Sequence, residues 1–194
     1  MGVGEQRMRV IGGSLRGQRL AAPGGRDTRP TSDRVREAVF SSLFSLTGGL
    51  EGRHVLDLYA GSGALGIEAL SRGAAHSVFV ERDRRAAGVI VANLEALRIP
   101  PARWRVLTRD ASRLVTAAGL HPVSLLFADP PYTIDAADVW QVLEGLAGSG
   151  LLETGGVVVY EHRVDGAGVA PACFCVRAVK RYGDTGVTYA TYEG

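Results

Sequence analysis

The sequence predicts an α/β fold in which a doubly wound, mostly parallel sheet of seven strands ends in an antiparallel hairpin. From Arg53 onward, short apolar runs alternate with segments of helical periodicity, as they do in parallel α/β sheets. A glycine-rich turn separates the first of these strands from the helix that follows it. Beyond residue 161 the helical segments stop and two β-rich runs follow, which predicts the hairpin.

The first residues of the chain predict a small β-hairpin extension. Two short strands are expected at 9–13 and 15–20, around a Gly-Gly-Ser turn. Because a lone hairpin is marginal in water, it must pack against the domain or a ligand. A loop from Pro23 leads to a helix that Thr31 or Ser32 can cap.

The helix after this loop has a single apolar face and ends at a pair of glycines. Its apolar side chains are Val35, Val39, Phe40, Leu43 and Leu46, and Gly48-Gly49 terminates it. We therefore divide the chain into residues 1–30, a basic arm with a β-hairpin, and residues 31–194, an α/β domain.

The α/β domain contains regularly alternating elements. Strands are expected at 54–58, 76–81, 104–107, 123–128 and 156–161, and helices near 64–72, 83–97, 111–117 and 136–147. The closing strands are expected at 172–181 and 186–192, joined by a turn at 182–186.

Composition excludes several classes of protein. With 194 residues, 46% of them hydrophobic, the chain has enough apolar material for a sizeable core. No apolar run approaches the ~18 residues of a transmembrane helix, and the N-terminus has no apolar core of a signal peptide, so we expect a cytoplasmic protein without a membrane partner. Cys173 and Cys175 are too few for a disulfide framework, and no His/Cys cluster has metal-ligand spacing.

Positive charge is concentrated at the N-terminus. Residues 1–36 contain eight arginines and three acidic residues, whereas the remainder has an excess of acidic residues. A basic arm on a nearly neutral body is typical of nucleic-acid binding. The candidate RNA contacts are Arg9, Arg16, Arg19, Arg29, Arg34 and Arg36. The alternative is a solvated surface, or, for Arg34 and Arg36, ion pairs with Asp33 or Glu37 on the helix.

The glycine-rich turn predicts a nucleotide site. Gly61, Gly63 and Gly66 match G-x-G-x-x-G between a strand and a helix. Glu81 follows twenty residues after Gly61 at the end of the next strand, where an acid can bind ribose hydroxyls. The glycines let the backbone approach a ligand, and the helix N-terminus favours an anionic group. The alternative is that the glycines serve only the tight turn and that Glu81 is a solvated charge.

Two further carboxylates bear on which nucleoside binds. Asp57 lies within the strand, where dinucleotide sites more often carry apolar residues. A carboxylate there suits the ammonium group of S-adenosylmethionine, which dinucleotides lack. Asp110 follows the third strand and either accepts a hydrogen bond from the adenine amine or caps the helix predicted at 111–117.

A second motif follows the fourth strand. The apolar run 123–127 leads into Ala128-Asp129-Pro130-Pro131-Tyr132. Ligands bind at the carboxyl ends of strands in open α/β sheets, and prolines offer carbonyl acceptors without N–H donors. The Asp129 carboxylate, the Pro130 carbonyl and the Tyr132 ring suit a planar base held by its exocyclic amine. The alternative is a strand-end turn in which Asp129 only caps the following residues.

Together these motifs resemble a known family. Residues 57–63 with residues 129–132 are similar to the amino-directed, S-adenosylmethionine-dependent methyltransferases. Residues 8–13 and 29–37 narrow the resemblance to the bacterial RsmD family, which methylates N2 of a guanine in 16S ribosomal RNA within small-subunit particles. The likeness covers nearly the whole chain from Met8.

The resemblance implies a Rossmann-like fold, S-adenosyl-L-methionine as cofactor, and 16S rRNA or a 30S assembly particle as partner of a monomer. It implies Asp129, Pro130 and Tyr132 as catalytic residues. The residues that it implies for cofactor binding are Asp57, Tyr59, Gly61, Gly63, Glu81, Asp110 and Thr31. The Asp-Pro-Pro-Tyr turn by itself indicates an amine, and only the resemblance indicates guanine.

Three alternatives remain at this point. An N6-adenine or N4-cytosine DNA methyltransferase shares the Asp-Pro-Pro-Tyr turn, but no additional target-recognition domain is visible in 194 residues. An NAD-dependent oxidoreductase shares the glycine turn but leaves Asp57, Asp129 and the basic arm without a role. A non-catalytic RNA-binding module would not need the intact set of amine acceptors.

Overall fold

The described part of the chain contains seven strands and four α-helices. The computed structural model describes residues 8–23, 33–114 and 119–194. The strands are β1 (His54–Leu58), β2 (His76–Glu81), β3 (Trp104–Thr108), β4 (Val123–Ala128), β5 (Leu152–Arg163), β6 (Phe174–Tyr182) and β7 (Thr185–Tyr192). The helices are α1 (Asp33–Thr47), α2 (Ala64–Ser71), α3 (Arg84–Ala96) and α4 (Ala136–Gly148).

All seven strands form one sheet in the order β3-β2-β1-β4-β5-β7-β6. The strands from β3 to β5 are parallel, and β7 pairs antiparallel with both β5 and β6. The turn between β6 and β7 places Gly183 at a φ of 63°, as a tight hairpin turn requires. The predicted mostly parallel, seven-stranded Rossmann-like sheet with a closing hairpin is therefore confirmed.

Three predicted elements differ from the structure. β5 begins at Leu152, earlier than expected, because Leu152 pairs with Val123 before a register shift in the ladder. Of the helix expected at 111–117, the structure shows a 3₁₀ turn at Ala111–Arg113, and residues 115–118 lie outside the described residues. On α1, Leu46 is 45% exposed, so the buried face of that helix ends at Leu43.

The N-terminal hairpin forms only one ladder bridge, between Arg9 and Arg19. Its two segments are joined by backbone hydrogen bonds such as Val10 N to Gln18 O at 2.9 Å, around a 3₁₀ turn at Gly13–Leu15. The expected pair of strands is thus reduced to a bridge, because several N–H groups of the hairpin donate to side chains of the domain and not to the opposite segment.

Helices cover both faces of the sheet. On one face, Val39 and Phe40 of α1 belong to a core cluster with Phe127 and Val159, and α2, α3 and the N-terminal arm extend this layer. On the other face, α4 packs through apolar side chains such as Trp140. Strands covered on both faces are apolar almost throughout, which makes a charged residue within them informative. No helix in the described ranges is long and apolar enough to cross a membrane.

Helix α2 lies very close to β2 because residue 66 has no side chain. A Cβ atom at Gly66 would lie 2.3 Å from Phe79 Cε1 and 2.7 Å from Ser77 Oγ. The third glycine of the motif therefore permits the packing of helix on strand. This packing fixes the N-terminus of α2 above the sheet.

We predict that Gly66→Ala lowers the free energy of unfolding by about 1–3 kcal/mol, because the methyl group overpacks this contact. The matched control is Gly88→Ala in α3, where an added Cβ meets no atom within 4 Å. The control should raise the free energy of unfolding by about 0.5–1 kcal/mol, since alanine favours a helix over glycine. Urea denaturation measures both, and equal shifts in the two variants would contradict the packing role.

Candidate functional site

The direction of chain progression reverses between β1 and β4. After β1 the chain proceeds to β2 and β3, and it then returns to β4 on the other side of β1. Leu58 and Ala128 are register neighbours at the ends of β1 and β4, so the loops after them begin side by side. A crevice opens at such a switch point and is the usual ligand site of α/β sheets. The glycine turn and the Asp-Pro-Pro-Tyr turn both start there.

The glycine turn has three residues in the left-handed region. The φ angles are 57° for Tyr59, 55° for Gly61 and 78° for Gly63. Tyr59 carries a side chain in this region, which is a strained conformation typical of functional loops. A Cβ at Gly61 would meet only the Tyr59 carbonyl oxygen, at 3.9 Å, so the space before Gly61 is open to a ligand. Burial raises the pKa of Tyr59 to about 12, which keeps its hydroxyl neutral.

Glu81 fastens the glycine turn to the end of β2. Its Oε2 accepts the Gly61 N–H at 2.9 Å, and its Oε1 accepts the Asp83 N–H at 2.8 Å. A carboxylate has about four lone-pair positions, so these two bonds leave capacity for hydroxyl donors. Glu81 thus lies where the motif predicts a ribose acid, and it also shapes the turn.

Asp57 lies under the turn. Its strand neighbours in register are Phe79 and Phe127, and the residue is only 1% exposed. Its Oδ2 accepts the N–H of Gly66 in the first turn of α2 at 2.9 Å. Burial raises the pKa of this carboxyl well above its ordinary value, and the negative charges of Asp129 and Glu81 act in the same direction.

The expectation that Asp57 directly contacts an ammonium group is therefore corrected. Asp57 is flanked in register by Phe79 and Phe127 and lies below the first turn of α2, so this buried residue has almost no surface to offer to a ligand. By accepting the Gly66 N–H, Asp57 instead satisfies a backbone donor in the first turn of α2 and fixes the distance between this helix end and β1. Asp57 supports the site from below.

Asp110 performs the capping role that sequence analysis left open. Its Oδ1 accepts both the backbone N–H and the hydroxyl of Ser112, at 3.0 and 2.7 Å. These bonds, the hydroxyl bond first, lower the pKa of the carboxyl, so it stays ionised. Because both bonds use Oδ1, Oδ2 carries acceptor capacity for a ligand amine beyond β3.

The Asp-Pro-Pro-Tyr turn projects from β4 beside the glycine turn. Pro130 is buried, whereas Tyr132 is 41% exposed at the mouth of the crevice. The Pro131 carbonyl accepts the Ile134 N–H at 3.0 Å, so it is part of the turn and does not face outward as the sequence suggested. Of the two proline carbonyls, the one at Pro130 thus stays the predicted acceptor for an amine.

The N-terminal arm is fastened to the domain by buried side chains of α2. Glu68 is completely buried, and its oxygens accept the N–H groups of Ile11 and Gly12 at 2.7 and 2.8 Å. Arg72 binds the same carboxylate at 2.7 Å. The hydroxyl of Ser71 accepts the Leu15 N–H at 2.9 Å.

A second anchor links the arm to the glycine turn. The side chain of Asn93 on α3 exchanges two hydrogen bonds with the backbone of Ala21, at 2.8 and 3.0 Å. The same amide donates to the carbonyl of Ser62 in the glycine turn at 3.0 Å. Met8 also contacts the hydroxyl of Ser62 through its sulfur, at 3.4 Å. Residues 8 and 21 of the arm are therefore both linked to the glycine turn at the crevice.

The six candidate RNA-binding arginines are in different environments. Four of them are exposed, namely Arg9, Arg16, Arg19 and Arg34. Arg9 forms an ion pair with Asp33 at 3.2 Å. Arg29 lies outside the described residues, as does Thr31, which was predicted to bind the cofactor.

Arg36 forms the ion pair with Asp33 that the sequence offered as the alternative to an RNA contact, so the prediction that Arg36 contacts RNA is corrected. Arg36 is 0% exposed, and its guanidinium donates to Asp33 Oδ1 at 2.9 Å and to the carbonyl oxygen of Arg9. The physical reason is that a buried guanidinium needs hydrogen-bond acceptors. Here they are Asp33 in the first turn of α1 and the Arg9 carbonyl of the arm. Arg36 thus joins these two segments.

The residues that hold the arm were not predicted from the sequence. Glu68 was the one with a visible signal, because it is an acid within a helix that is otherwise almost wholly apolar. A charged side chain in such a position is rarely buried unless it is paired. Asn93 and Ser71 gave no comparable signal, since single polar residues on a helix are ordinary.

Fold and site together define a methyltransferase domain of the Rossmann-like class. The defining features are a glycine turn fixed by acids at the ends of β1 and β2, and an Asp-Pro-Pro-Tyr turn beside it. The antiparallel β7 next to β5 is not the usual ending of a dinucleotide-binding sheet.

Comparisons with known proteins agree with this class. A family model described as Conserved hypothetical protein 95 matches residues 8–191. Ribosomal RNA small subunit methyltransferase D of Escherichia coli strain K12 is 34% identical over 191 residues, covering 98% of this chain and 91% of that protein. YlbH of Bacillus subtilis is 40% identical over 157 residues, covering 80% of this chain and 82% of that protein. The solved structure of YhhF from Escherichia coli has a TM-score of 0.81 at 31% identity, and covers 97% of this chain and 99% of that one.

The chain belongs to the Conserved hypothetical protein 95 family, the RsmD family of ribosomal RNA methyltransferases. The resemblance inferred from the motifs is thereby confirmed.

We predict that burial of Asp57 makes stability fall as pH rises. Its pKa is raised in the folded state, so the folded protein keeps a proton that the unfolded chain loses near the ordinary value of 3.8. Asp57→Asn keeps an oxygen for the Gly66 N–H and removes the titration. As pH rises above this ordinary value, urea denaturation should show the wild type losing stability relative to this variant. Asp165→Asn, at an exposed position, is the control, and a pH-independent difference for Asp57→Asn would refute the prediction.

We further predict that Glu68→Gln loosens the arm locally. A neutral amide cannot replace a buried carboxylate that accepts two N–H groups and pairs with Arg72. The amides of Ile11 and Gly12 should exchange with solvent roughly tenfold faster or more, as measured by hydrogen exchange. Glu37→Gln, on the exposed face of α1, should leave their exchange unchanged. Unchanged protection in Glu68→Gln would show that the arm is held by other contacts.

Proposed function

We propose that this protein transfers a methyl group from S-adenosylmethionine to the exocyclic N2 amine of a guanine in 16S rRNA of the small ribosomal subunit. The proposal is supported by the position of two turns that begin side by side at one crevice. One turn is suited to a nucleoside and the other to an amine. Family membership supports it, because curated relatives are named ribosomal RNA small subunit methyltransferases.

The residues at the ends of β1, β2 and β3 fit S-adenosylmethionine. The open space before Gly61 admits a ligand against the backbone, and the Glu81 carboxylate retains acceptor capacity for ribose hydroxyls. Asp110 Oδ2 is suited to the adenine amine. When bound, the cofactor supplies a methyl group on a positively charged sulfur, which makes that methyl group electrophilic.

The Asp-Pro-Pro-Tyr turn prepares the amine for attack. The N2 amine of guanine is a poor nucleophile because its lone pair is delocalised into the ring. When the Asp129 carboxylate and the Pro130 carbonyl each accept one N–H, the nitrogen is drawn towards tetrahedral geometry and its lone pair is directed at the methyl group. Acceptors fixed in advance by the protein contribute through positioning and electrostatics.

The exposed ring of Tyr132 provides a stacking surface for the base, and such contacts are worth ~1–3 kcal/mol. The base must be unpaired or flipped out of a helix to reach it. Arg9, Arg16, Arg19 and Arg34 lie on or next to the arm and supply phosphate contacts, so RNA binding should weaken as salt rises.

The decisive assay is transfer of labelled methyl groups from S-adenosylmethionine to 30S particles lacking the modification, followed by mapping of the modified nucleotide. Naked 16S rRNA and duplex DNA are the comparison substrates. Methylation of N2 on one guanine of the rRNA supports the proposal. Methylation of DNA amines instead, or calorimetric binding of NAD in place of S-adenosylmethionine, would replace it with one of the alternatives.

Asp129→Ala should reduce kcat by about 100-fold or more, since one of the two amine acceptors is lost. Affinity for S-adenosylmethionine, measured by calorimetry, should stay near the wild-type value, because the cofactor residues are on other strands. Glu95→Ala, which removes an exposed carboxylate from α3, is the control and should keep full turnover. Turnover near the wild-type rate in Asp129→Ala would refute the assigned mechanism.

A further inference from the structure

We propose that Arg163 is a substrate-contacting residue that binds a phosphate next to the flipped guanine and orients Tyr132. Arg163 is the last residue of β5 and lies outside the N-terminal basic arm. The inference rests on the proposed function, since it assigns a further contact to the RNA whose amine is methylated. It adds a second cationic contact to the site, on the side opposite the glycine turn.

The first observation is that the ring of Tyr132 is held at two points. The Arg163 Cζ atom lies over the ring, 5.5 Å from its centroid. The Tyr132 hydroxyl is 3.5 Å from Oγ1 of Thr185. Arg163 and Thr185 are paired directly across the β5–β7 ladder, so one row of the sheet carries both contacts. The position of the stacking ring therefore depends on the closing hairpin.

The second observation is that Arg163 is accessible. It is exposed, and within residues 8–23, 33–114 and 119–194 no carboxylate forms an ion pair with it. By contrast, Arg177 on β6 is paired with Glu193. An unneutralised cation beside the mouth of an RNA-binding crevice is a natural partner for a phosphate.

The third observation concerns the face of the sheet. Val159 packs in the cluster that contains Val39 and Phe40 of α1. Arg163 is four residues further along β5, and side chains alternate with a period of two, so it lies on the same face. The basic arm is attached to this face as well, through α2 and α3. RNA bound to the arm can thus reach Arg163 without passing around the sheet.

Guanidinium chemistry allows both roles at once. Its planar face stacks on an aromatic ring, while its N–H groups, which lie in the plane, remain free to bind a phosphate through two parallel hydrogen bonds. A nucleotide flipped from a helix rotates about its backbone, so its flanking phosphates stay at the entrance of the pocket. Lysine can supply the charge but not the planar stacking surface.

The experiment compares Arg163→Gln and Arg163→Lys with the wild type. Arg105→Gln is the matched control, because Arg105 is an exposed arginine on the edge strand β3. Binding of the rRNA substrate is measured at several salt concentrations, together with kcat and KM for methyl transfer and calorimetric affinity for S-adenosylmethionine.

For Arg163→Gln we expect KM for RNA to rise roughly tenfold. The negative slope of log affinity against log salt should become shallower by about 0.7–0.9. Arg163→Lys should have the salt slope of the wild type, because lysine also carries the charge. Its kcat should be lower than that of the wild type, because the ring of Tyr132 loses its stacked partner. Affinity for S-adenosylmethionine should not change in either variant, and Arg105→Gln should behave as the wild type.

Wild-type salt slope and KM in Arg163→Gln would overturn the inference. An equal loss of affinity for RNA and for S-adenosylmethionine would also overturn it, since Arg163 would then only maintain the fold. If the wild type transfers no methyl group to rRNA, the proposed function fails. The binding slopes still decide whether Arg163 contacts RNA in that case, so the two failures are distinguishable.

Discussion

The attachment of the glycine turn to two carboxylates is the constraint on which the rest of the site depends. Asp57 binds the first turn of α2 from below, and Glu81 binds Gly61 from the end of β2. The turn contains three left-handed residues, and these two bonds help to fix its conformation. Because Asp57 is buried beside Phe79 and Phe127, its carboxyl group loses its hydration. The hydrogen bond that it accepts fixes the backbone at Gly66.

Buried polar side chains also hold the backbone of the N-terminal arm. A short hairpin with one ladder bridge has little stability of its own. Buried polar side chains on α2 and α3 satisfy its backbone, and Asn93 binds both the arm and the glycine turn. Arg36, expected on the surface, also connects the arm to α1. Residues 8–21 of the arm are therefore attached to the domain, which gives the exposed Arg9, Arg16 and Arg19 a defined position relative to the crevice.

The acceptor side of the crevice depends on the end of the chain. Tyr132 follows β4, yet its ring and hydroxyl are held by Arg163 of β5 and Thr185 of β7. Through Thr185 the closing hairpin thus contacts the Asp-Pro-Pro-Tyr turn, in addition to covering the edge of β5.

The sequence by itself determined the order and type of the elements, the two turns and the family. These depend on local signals, namely apolar periodicity, glycines with positive φ, and residue motifs of fixed spacing. It did not reveal the burial of Asp57 and Arg36, because burial depends on neighbours that are distant in the chain: Phe79 and Phe127 for Asp57, and the backbone of the arm for Arg36. Only the tertiary structure decided that Glu68 and Asn93 hold the arm and that Arg163 meets Tyr132, since each contact joins residues whose proximity arises from strand order and helix packing.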